Sequence, residues 1–535
     1  MKAHHVPYSS LNIFSKLIED YLIESKKLMP YISSFPSIGS IKHQSKIKLK
    51  NYSKNSRSKL IEVLKKQYSK INYSKEVKNN LSLLSKNNSV TITTGHQLSL
   101  MTGPLYFIYK IVSVIKLSNQ LNSKKTGNNY IPIFWLATED HDFEEISSFY
   151  YKKKIISWRQ SQQGAVGEIT LEKLNCLRLF IDEELGVSVT SKSIKKIIEE
   201  SYLSSRTLSE ATFKLVNSLF SNYGLIILDP NSKTLKEVMI PFFKNELFDQ
   251  GCNKHVSIQI NKLRKDYDNN YKSQVNPREI NLFYLKKGER KRIVKTKDGF
   301  KLSNSSKKFT SVSMEKELFK HPQRFSPNVL MRPLFQEIIL PNVSYIGGSA
   351  EISYWLELKT FFEYNKTPFP ILLVRDSCLL LSSQISKKLQ NLNISYIDLF
   401  KGKDFIEKNI IINRSKINMD LQFLKSKLES QFKYLEELVK KTDFSFSGAV
   451  KAQRAKQFKG IDKLEKRLLK AQKRIFENDI KNFMIIYENL FPNEKLQERT
   501  ENFFDYYDQI GDNFIPELIE NFNPLNKSLT ILEFK

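Results

Sequence analysis

The sequence is poor in cysteine. Cys176, Cys252 and Cys378 are its only three in 535 residues, they lie far apart and none forms a CxxC pair, so a disulfide framework and a zinc site of the usual ligand spacing are both excluded. A reducing cytoplasm is the compartment this usage predicts. Glycine and proline are also scarce, at 17 each, which excludes collagenous and low-complexity classes. No uninterrupted apolar run approaches the ~18 residues of a membrane span, and the N-terminal MKAHHVPYSS has no apolar signal core. A soluble chain that is not exported by that route is expected. Neither GxGxxG nor GxxxxGK(S/T) occurs, so the common dinucleotide and P-loop fingerprints are missing.

Arginine is sparse beside lysine. A formal net charge of +29 ordinarily raises nucleic acid or an anionic membrane as a partner. Here the excess is carried by lysines spread along the whole chain, whereas phosphate and base readers depend on clustered arginine. The charge reads as solvated surface, and neither nucleic acid nor membrane is expected as a partner.

What is present is enough apolar surface, 40% of residues with 12% aromatics, to bury sizeable cores in roughly three or four domains. Several helices are expected over 8–90, ending in the strand VTITT at 90–94. A helix over about 103–121 carries an apolar stripe at Leu105, Ile108, Val112 and Ile115. The run YIPIFWLATED at 130–140 is nearly all apolar in its middle, as a parallel strand covered on both faces would be. Two more strand candidates are GLIILDP at 224–230 and PFPILLVRDS at 368–377.

Strand, helix, strand is a βαβ unit, so the fold class expected is α/β with a doubly wound core. The core takes 1–150 with its N-terminal helices, 206–235 and 326–385, interrupted by polar insertions at 151–205 and 236–325. A helical arm follows at 386–500, and 501–535 packs back on the core. Within the arm, Leu421, Leu424, Leu428, Leu435 and Leu438, with Gln431 as a polar place, and then Ile461, Leu464, Leu468, Ala471 and Ile475 are spaced as heptad seams. With TDFSFSGA at 442–449 as the turn, they predict an antiparallel coiled-coil hairpin within about 416–476.

The reactive groups cluster where ligands bind in open α/β sheets, beyond the carboxyl ends of strands. The first strand delivers Gly95, His96 and Gln97, with Thr102 as a helix cap beside Gly103 and Pro104, a turn resembling a phosphate cradle. The second delivers Glu139, Asp140, His141 and Asp142, then Glu144 and Glu145. A carboxylate beside an imidazole suits general acid–base work or a metal, and the same acids read equally well as helix caps with Asp142 at N-cap. A third constellation runs from Arg332, Gln336 and Glu337 through Tyr345 and the Gly347–Gly348 pair to Glu351, Tyr354 and Trp355. Paired glycines at such a corner let a ligand approach the backbone.

Four long stretches in collinear order, TTGHQLSLMTGPLYFIYK, IPIFWLATEDHDFEEI, VLMRPLFQEIILPNVSYIGGSAEISYWLELK and KLQERTENFFDYYDQIG, closely resemble the BshC family of cysteine-adding enzymes of bacillithiol biosynthesis. The resemblance implies a Rossmann-like core akin to class I aminoacyl-tRNA synthetases and related nucleotidyl transferases. It also implies two connecting-peptide insertions and a C-terminal coiled-coil arm used for homodimerisation. The implied activity is a ligase that joins L-cysteine to the free amine of glucosaminyl malate. Catalytic candidates are then Asp140, His141, Asp142 and His96. Substrate-binding candidates are Gln97, Gly103, Tyr106, Arg332, Gln336, Tyr345, Gly347, Gly348, Glu351, Tyr354, Trp355 and Arg375, the last read as the one well-placed cation after the final strand. No metal site is assigned, and the activator of the carboxylate stays open, with ATP and Mg²⁺ the pair a synthetase-like fold suggests. A metal-dependent hydrolase built on Glu139 to Asp142, and a non-catalytic dimeric scaffold, are the rival readings.

Overall fold

A computed structural model of the chain describes residues 1–535 apart from 173, 268–270 and 444. Its centre is a five-stranded sheet of β1 (Ser89–His96), β2 (Asn129–Leu136), β3 (Ile226–Leu228), β4 (Asn342–Gly347) and β5 (Ile371–Val374). The order is β3-β2-β1-β4-β5 and every neighbouring pair is parallel. That is the order of a Rossmann-like half, with its switch point between β1 and β4. β4, the strand that creates the switch point, was not among the strand candidates; its segment read only as a glycine corner.

The strands are apolar throughout because both faces are covered. Val90, Ile92 and Tyr130 join Val114, Leu117 and Leu121 of α1 (Tyr106–Ser123) in one cluster. Ile131 and Ile133, one step along, join the main core. α1 is buried nearly all round: the expected stripe of Leu105, Ile108, Val112 and Ile115 is inside, and so are Phe107, Tyr109, Ile111 and Val114. Two further helices flank the switch point, α2 (Met331–Ile339) and α3 (Ser349–Trp355).

Between β2 and β3 stand a hairpin (Ser148–Tyr151 with Lys154–Ser157) and short helices. Between β3 and β4 come two long helices (Lys233–Asp249 and Gly251–Asp266) and an antiparallel five-stranded sheet spanning Leu282 to Pro327. Strands Lys2–Pro7, Ser528–Phe534 and Cys378–Ser382 form a separate sheet that ties both chain ends to the end of the core.

The arm is a hairpin of α4 (Gln422–Val439) and α5 (Ser445–Ile475). α5 starts inside the stretch 442–449 read as the turn, and Phe444 of that stretch lies outside the described residues. The seam also differs by one position from the expected one. Phe432 and Val450 are the fully buried residues, while Leu424, Leu464 and Ile475 are 44%, 56% and 67% exposed. Leu428 and Leu435 are common to the expected and observed seams, and Lys425, Phe432 and Val439 replace Leu424, Gln431 and Leu438, each one position on, which keeps a 3,4 spacing. The bulkier Phe432 settles the choice between the two registers, since burying an aromatic ring removes more apolar area. Ion pairs of Lys425 with Asp462 at 2.8 Å and Arg454 with Glu429 at 2.6 Å flank the seam.

Candidate functional site

β1 ends at His96, and the chain then turns inward: Leu98, Leu100 and Met101 are fully buried. Met101, Thr102 and Gly103 all have positive φ, at 50°, 66° and 59°. A Cβ on Gly103 would stand 2.7 Å from Ser99 Cβ, so only glycine fits. The strained turn is held from behind by the C-terminal segment. Asn502 Nδ2 donates to Met101 O at 2.7 Å and Gly103 O at 2.6 Å, and Leu105 N–H donates to Glu501 O at 2.8 Å. This corrects two expectations. Thr102 is no helix cap, because α1 begins at Tyr106 and the buried Thr102 hydroxyl has no partner. The turn is no open phosphate cradle either, because its backbone donors are already taken, Met101 N–H by Tyr202 Oη at 2.8 Å, Gly103 N–H by Leu100 O at 2.9 Å and Leu105 N–H by Glu501 O, and its carbonyls face Asn502. Gly103 lies behind the cleft, not in its wall.

The cleft opens at the switch point and has a volume of about 720 Å³. Gly95, His96, Tyr106, Lys110, Arg332, Tyr345, Gly348, Glu351 and Tyr354 form its inner end. The Lys110 ammonium, buried on α1, pairs with Glu351 and donates to Gly95 O at 3.2 Å. Tyr345 Oη donates to Glu351 Oε2 at 2.6 Å. Burial pushes the Glu351 carboxyl up, but Lys110 and Tyr345 outweigh it and hold the group down at about 2. Burial and the Lys110 charge push His96 down to about 3, so its imidazole is neutral. Arg332 Nη1 donates to Gln336 Oε1 at 3.1 Å, and the guanidinium lies over the Tyr345 ring.

The outer end carries the products of the EDHD run. Glu139 is buried in an ion pair with Lys236, a structural bond between β2's end and the second insertion. Asp140 stands in the cleft: Oδ2 accepts from Gln97 Nε2 at 3.1 Å, Oδ1 accepts from His141 N–H at 2.8 Å, and Arg290 Nη1 is 3.7 Å away. Burial opposes ionisation, but these donors from His141, Gln97 and Arg290 hold the carboxyl well below the usual carboxylate range. His141 also lines the cleft, half exposed. Asp142 is exposed outside it and accepts from Glu145 N–H at 3.5 Å, a capping contact with the turn Glu144–Ile146. Among the described residues no group of three or more His, Cys, Asp and Glu side chains could hold a metal ion.

Of the other expected site residues, Gln97 lines the cleft and bridges Asp140 to Glu145 at 2.7 Å. Gln336, Gly347 and Trp355 support the wall from behind: Trp355 stacks on Tyr345 with centroids 4.4 Å apart, and Gly347 O accepts from Arg375 N–H at 2.9 Å. Arg375 reaches the cleft, but it is bound to Glu498 by contacts of 2.6 and 3.0 Å. It is not the one cation in place, because Lys110, Arg278, Arg290, Arg332 and Arg499 line the cleft too. Lys110 had a sequence signal, the lone charge in the mostly apolar stretch from Phe107 to Val114. Arg278, Arg290 and Arg499 had none, since each sits in a polar stretch far along the chain.

Comparison with known proteins matches residues 1–376 to "Bacillithiol biosynthesis BshC, N-terminal Rossmann-like domain" and residues 378–534 to "Bacillithiol biosynthesis BshC, C-terminal coiled-coil domain". Relatives from Flavobacterium johnsoniae and Flavobacterium psychrophilum are each 44% identical, over 98% and 99% of this chain and 99% of their own length. One from Christiangramia forsetii is 41% identical over 100% of this chain and 99% of its own. All three carry the name "Putative cysteine ligase BshC". With both domains matched and identity sustained from end to end, the chain belongs to the BshC family of bacillithiol biosynthesis.

Proposed function

We propose that this chain is an amide-forming ligase that joins L-cysteine to the free amine of glucosaminyl malate, giving bacillithiol. The observation that carries the reading is the charge of the cleft. Its carboxylates are already engaged, Glu351 by Lys110, Glu139 by Lys236 and Asp140 by Arg290, whereas the described residues place no carboxylate within ion-pair distance of Arg278, Arg332 or Arg499. A site with cations to spare suits substrates that bring carboxylates of their own.

In this reading Arg332 and Arg499 hold substrate carboxylates, and Tyr345 and Tyr354 shape the inner wall. Asp140, firmly ionised, attracts and orients the attacking amine, and His96 and His141 exchange protons with the reacting groups. ATP, as the source of carboxylate activation in a synthetase-like reaction, would bring its phosphates to the α1 N-terminus and His96. Neither fits a phosphate: the Leu105 N–H is given to Glu501 and His96 is uncharged. No phosphate contact is therefore assigned to either. The hydrolase alternative is not favoured, since Glu139 is locked to Lys236 and Asp142 lies outside the cleft. A homodimer formed through the arm belongs to the same proposal. The exposed Phe423, Leu424 and Leu464 give the arm apolar surface for it.

The test is mass spectrometry of the purified protein with glucosaminyl malate, L-cysteine and MgATP, each omitted in turn. The cysteinyl amide is expected only when both substrates are present, and the dependence on MgATP identifies the activator. No amide under any combination overturns the proposal. Arg332→Met is expected to raise KM for a substrate at least tenfold, through a lost charge-assisted contact.

A further inference from the structure

Two imidazoles line the cleft, and their neighbours grip them in opposite senses. His96 Nδ1 lies 3.0 Å from the Gln97 carbonyl oxygen. A carbonyl only accepts, so this nitrogen carries the proton and Nε2 keeps its lone pair. His141 Nδ1 lies 2.8 Å from Arg290 Nη1. A guanidinium only donates, so here Nδ1 keeps the lone pair and the proton sits on Nε2. Asp140 Oδ1, 3.4 Å from the same nitrogen, calls for the reverse. The shorter contact decides, because Asp140 already accepts from the His141 backbone and from Gln97.

The Arg290 guanidinium is fixed before it reaches the histidine. It lies over the Phe283 ring, 3.9 Å from the centroid, while Nη2 donates to Pro327 O at 3.1 Å and to Ser326 Oγ at 3.3 Å. All four residues belong to the antiparallel sheet Leu282–Pro327 that stands between β3 and β4, most of it in the second insertion. The insertion thus sends one rigid donor into the core's active cleft, aimed at one ring nitrogen.

We propose that Arg290 is a positioning residue that fixes His141 as a hydrogen-bond donor through Nε2, opposite to His96, which the Gln97 carbonyl fixes as an acceptor through Nε2. The inference rests on the reading of this cleft as the place of amide formation and adds a division of labour to it. His141 Nε2–H serves the acyl oxygen of the activated cysteinyl group, where negative charge grows as the amine adds and is given back when the C=O re-forms and the bond to the activating group breaks. His96 Nε2 serves the N–H of that amine.

The experiment is a long-range ¹H–¹⁵N correlation spectrum of the full chain labelled with [¹⁵N]histidine, without substrates, with peaks assigned from His96→Gln and His141→Gln. His141 is expected to show a pyridine-like Nδ1 and a protonated Nε2, and His96 the reverse. Arg290→Met should shift or broaden the His141 pattern, leave His96 unchanged, and lower kcat about 10- to 100-fold with KM within about twofold. Arg290→Lys, which retains a donor, should recover part of both. His141 with its proton on Nδ1 in the unmodified protein, or a His141 pattern that Arg290→Met leaves unchanged, overturns the proposal. If Arg290→Met does not fold, the spectra of the unmodified protein and of Arg290→Lys decide. Because the spectrum needs no turnover, a correct tautomer pair with no amide formed refutes the reaction reading alone. Amide formation with the wrong tautomer at His141 refutes this one.

Discussion

Asp140 and Asp142 are two positions apart, and the fold puts one in the cleft and the other on the surface. The sequence alone could not show that the chain leaves the strand at Leu136 and turns before Asp142. Asp140→Asn keeps the shape and removes the charge proposed to orient the amine, so a loss of about 10²-fold or more in kcat/KM is expected. Asp142→Ala is expected to stay within about twofold, measured in the same product assay; equal losses at both positions would return the cap to the active site. Lys110 makes the complementary point. Its partly exposed partner Glu351, 24% exposed, would lose the cation beside it in Lys110→Met, which should cost about 1–3 kcal/mol in denaturant unfolding. The double variant Lys110→Met, Glu351→Gln should recover part of that, because the stranded charge is gone as well.

At the scale of elements, strands β1, β2, β3 and β5 were legible because buried parallel strands are runs of apolar residues bounded by turns. β4 was not, because Asn342 and Ser344 interrupt its apolar pattern. Asn342 Oδ1 accepts from Thr93 Oγ1 at 2.8 Å, and Ser344 Oγ donates to Ile371 O at 2.9 Å. Polar residues satisfied across a sheet look like a loop in sequence. The coiled-coil hairpin was legible as a hairpin but part of its seam was misread, since two 3,4 stripes on α4 share Leu428 and Leu435 and differ by one position elsewhere. The seam makes a sharp prediction. Phe432→Ala should cost about 3–5 kcal/mol of arm stability, as for a buried ring, whereas Leu424→Ala should change the stability of the isolated chain by no more than about 0.5 kcal/mol. Thermal loss of helical circular dichroism measures both; a larger effect at Leu424 would restore the leucine seam. The turn after β1 was misread for a different reason: its partners Glu501 and Asn502 lie some 400 residues away, beyond any local signal.

Across the whole molecule, distant segments are drawn onto the core by buried carboxyls, and this sets how stability responds to pH. Burial pushes Glu357 up to about 7, against donors from Tyr271, Ser273 and Gln274 of the segment that enters the cleft wall. Burial likewise pushes Glu501 and Asp505 up to about 7; Glu501 takes the Tyr506 hydroxyl and Asp505 the Lys152 N–H of the first insertion's hairpin. In the unfolded chain all three return to ordinary carboxyl behaviour and are ionised above about pH 5. The folded chain therefore binds more protons than the unfolded one up to about pH 7, and stability falls as pH rises through that value. His96 and His255, both pushed down mainly by burial, act in the opposite sense, but largely below the ordinary histidine value of about 6.5. Between pH 6.5 and 8 the carboxyls dominate. The denaturation midpoint is expected to fall across this window, and Glu357→Gln, Glu501→Gln and Asp505→Asn, each a neutral mimic of the protonated form, should each flatten the slope. A midpoint that rises with pH in the unmodified chain, or a slope that survives all three substitutions together, would mean that other groups bind the protons and that these junctions are held by packing alone.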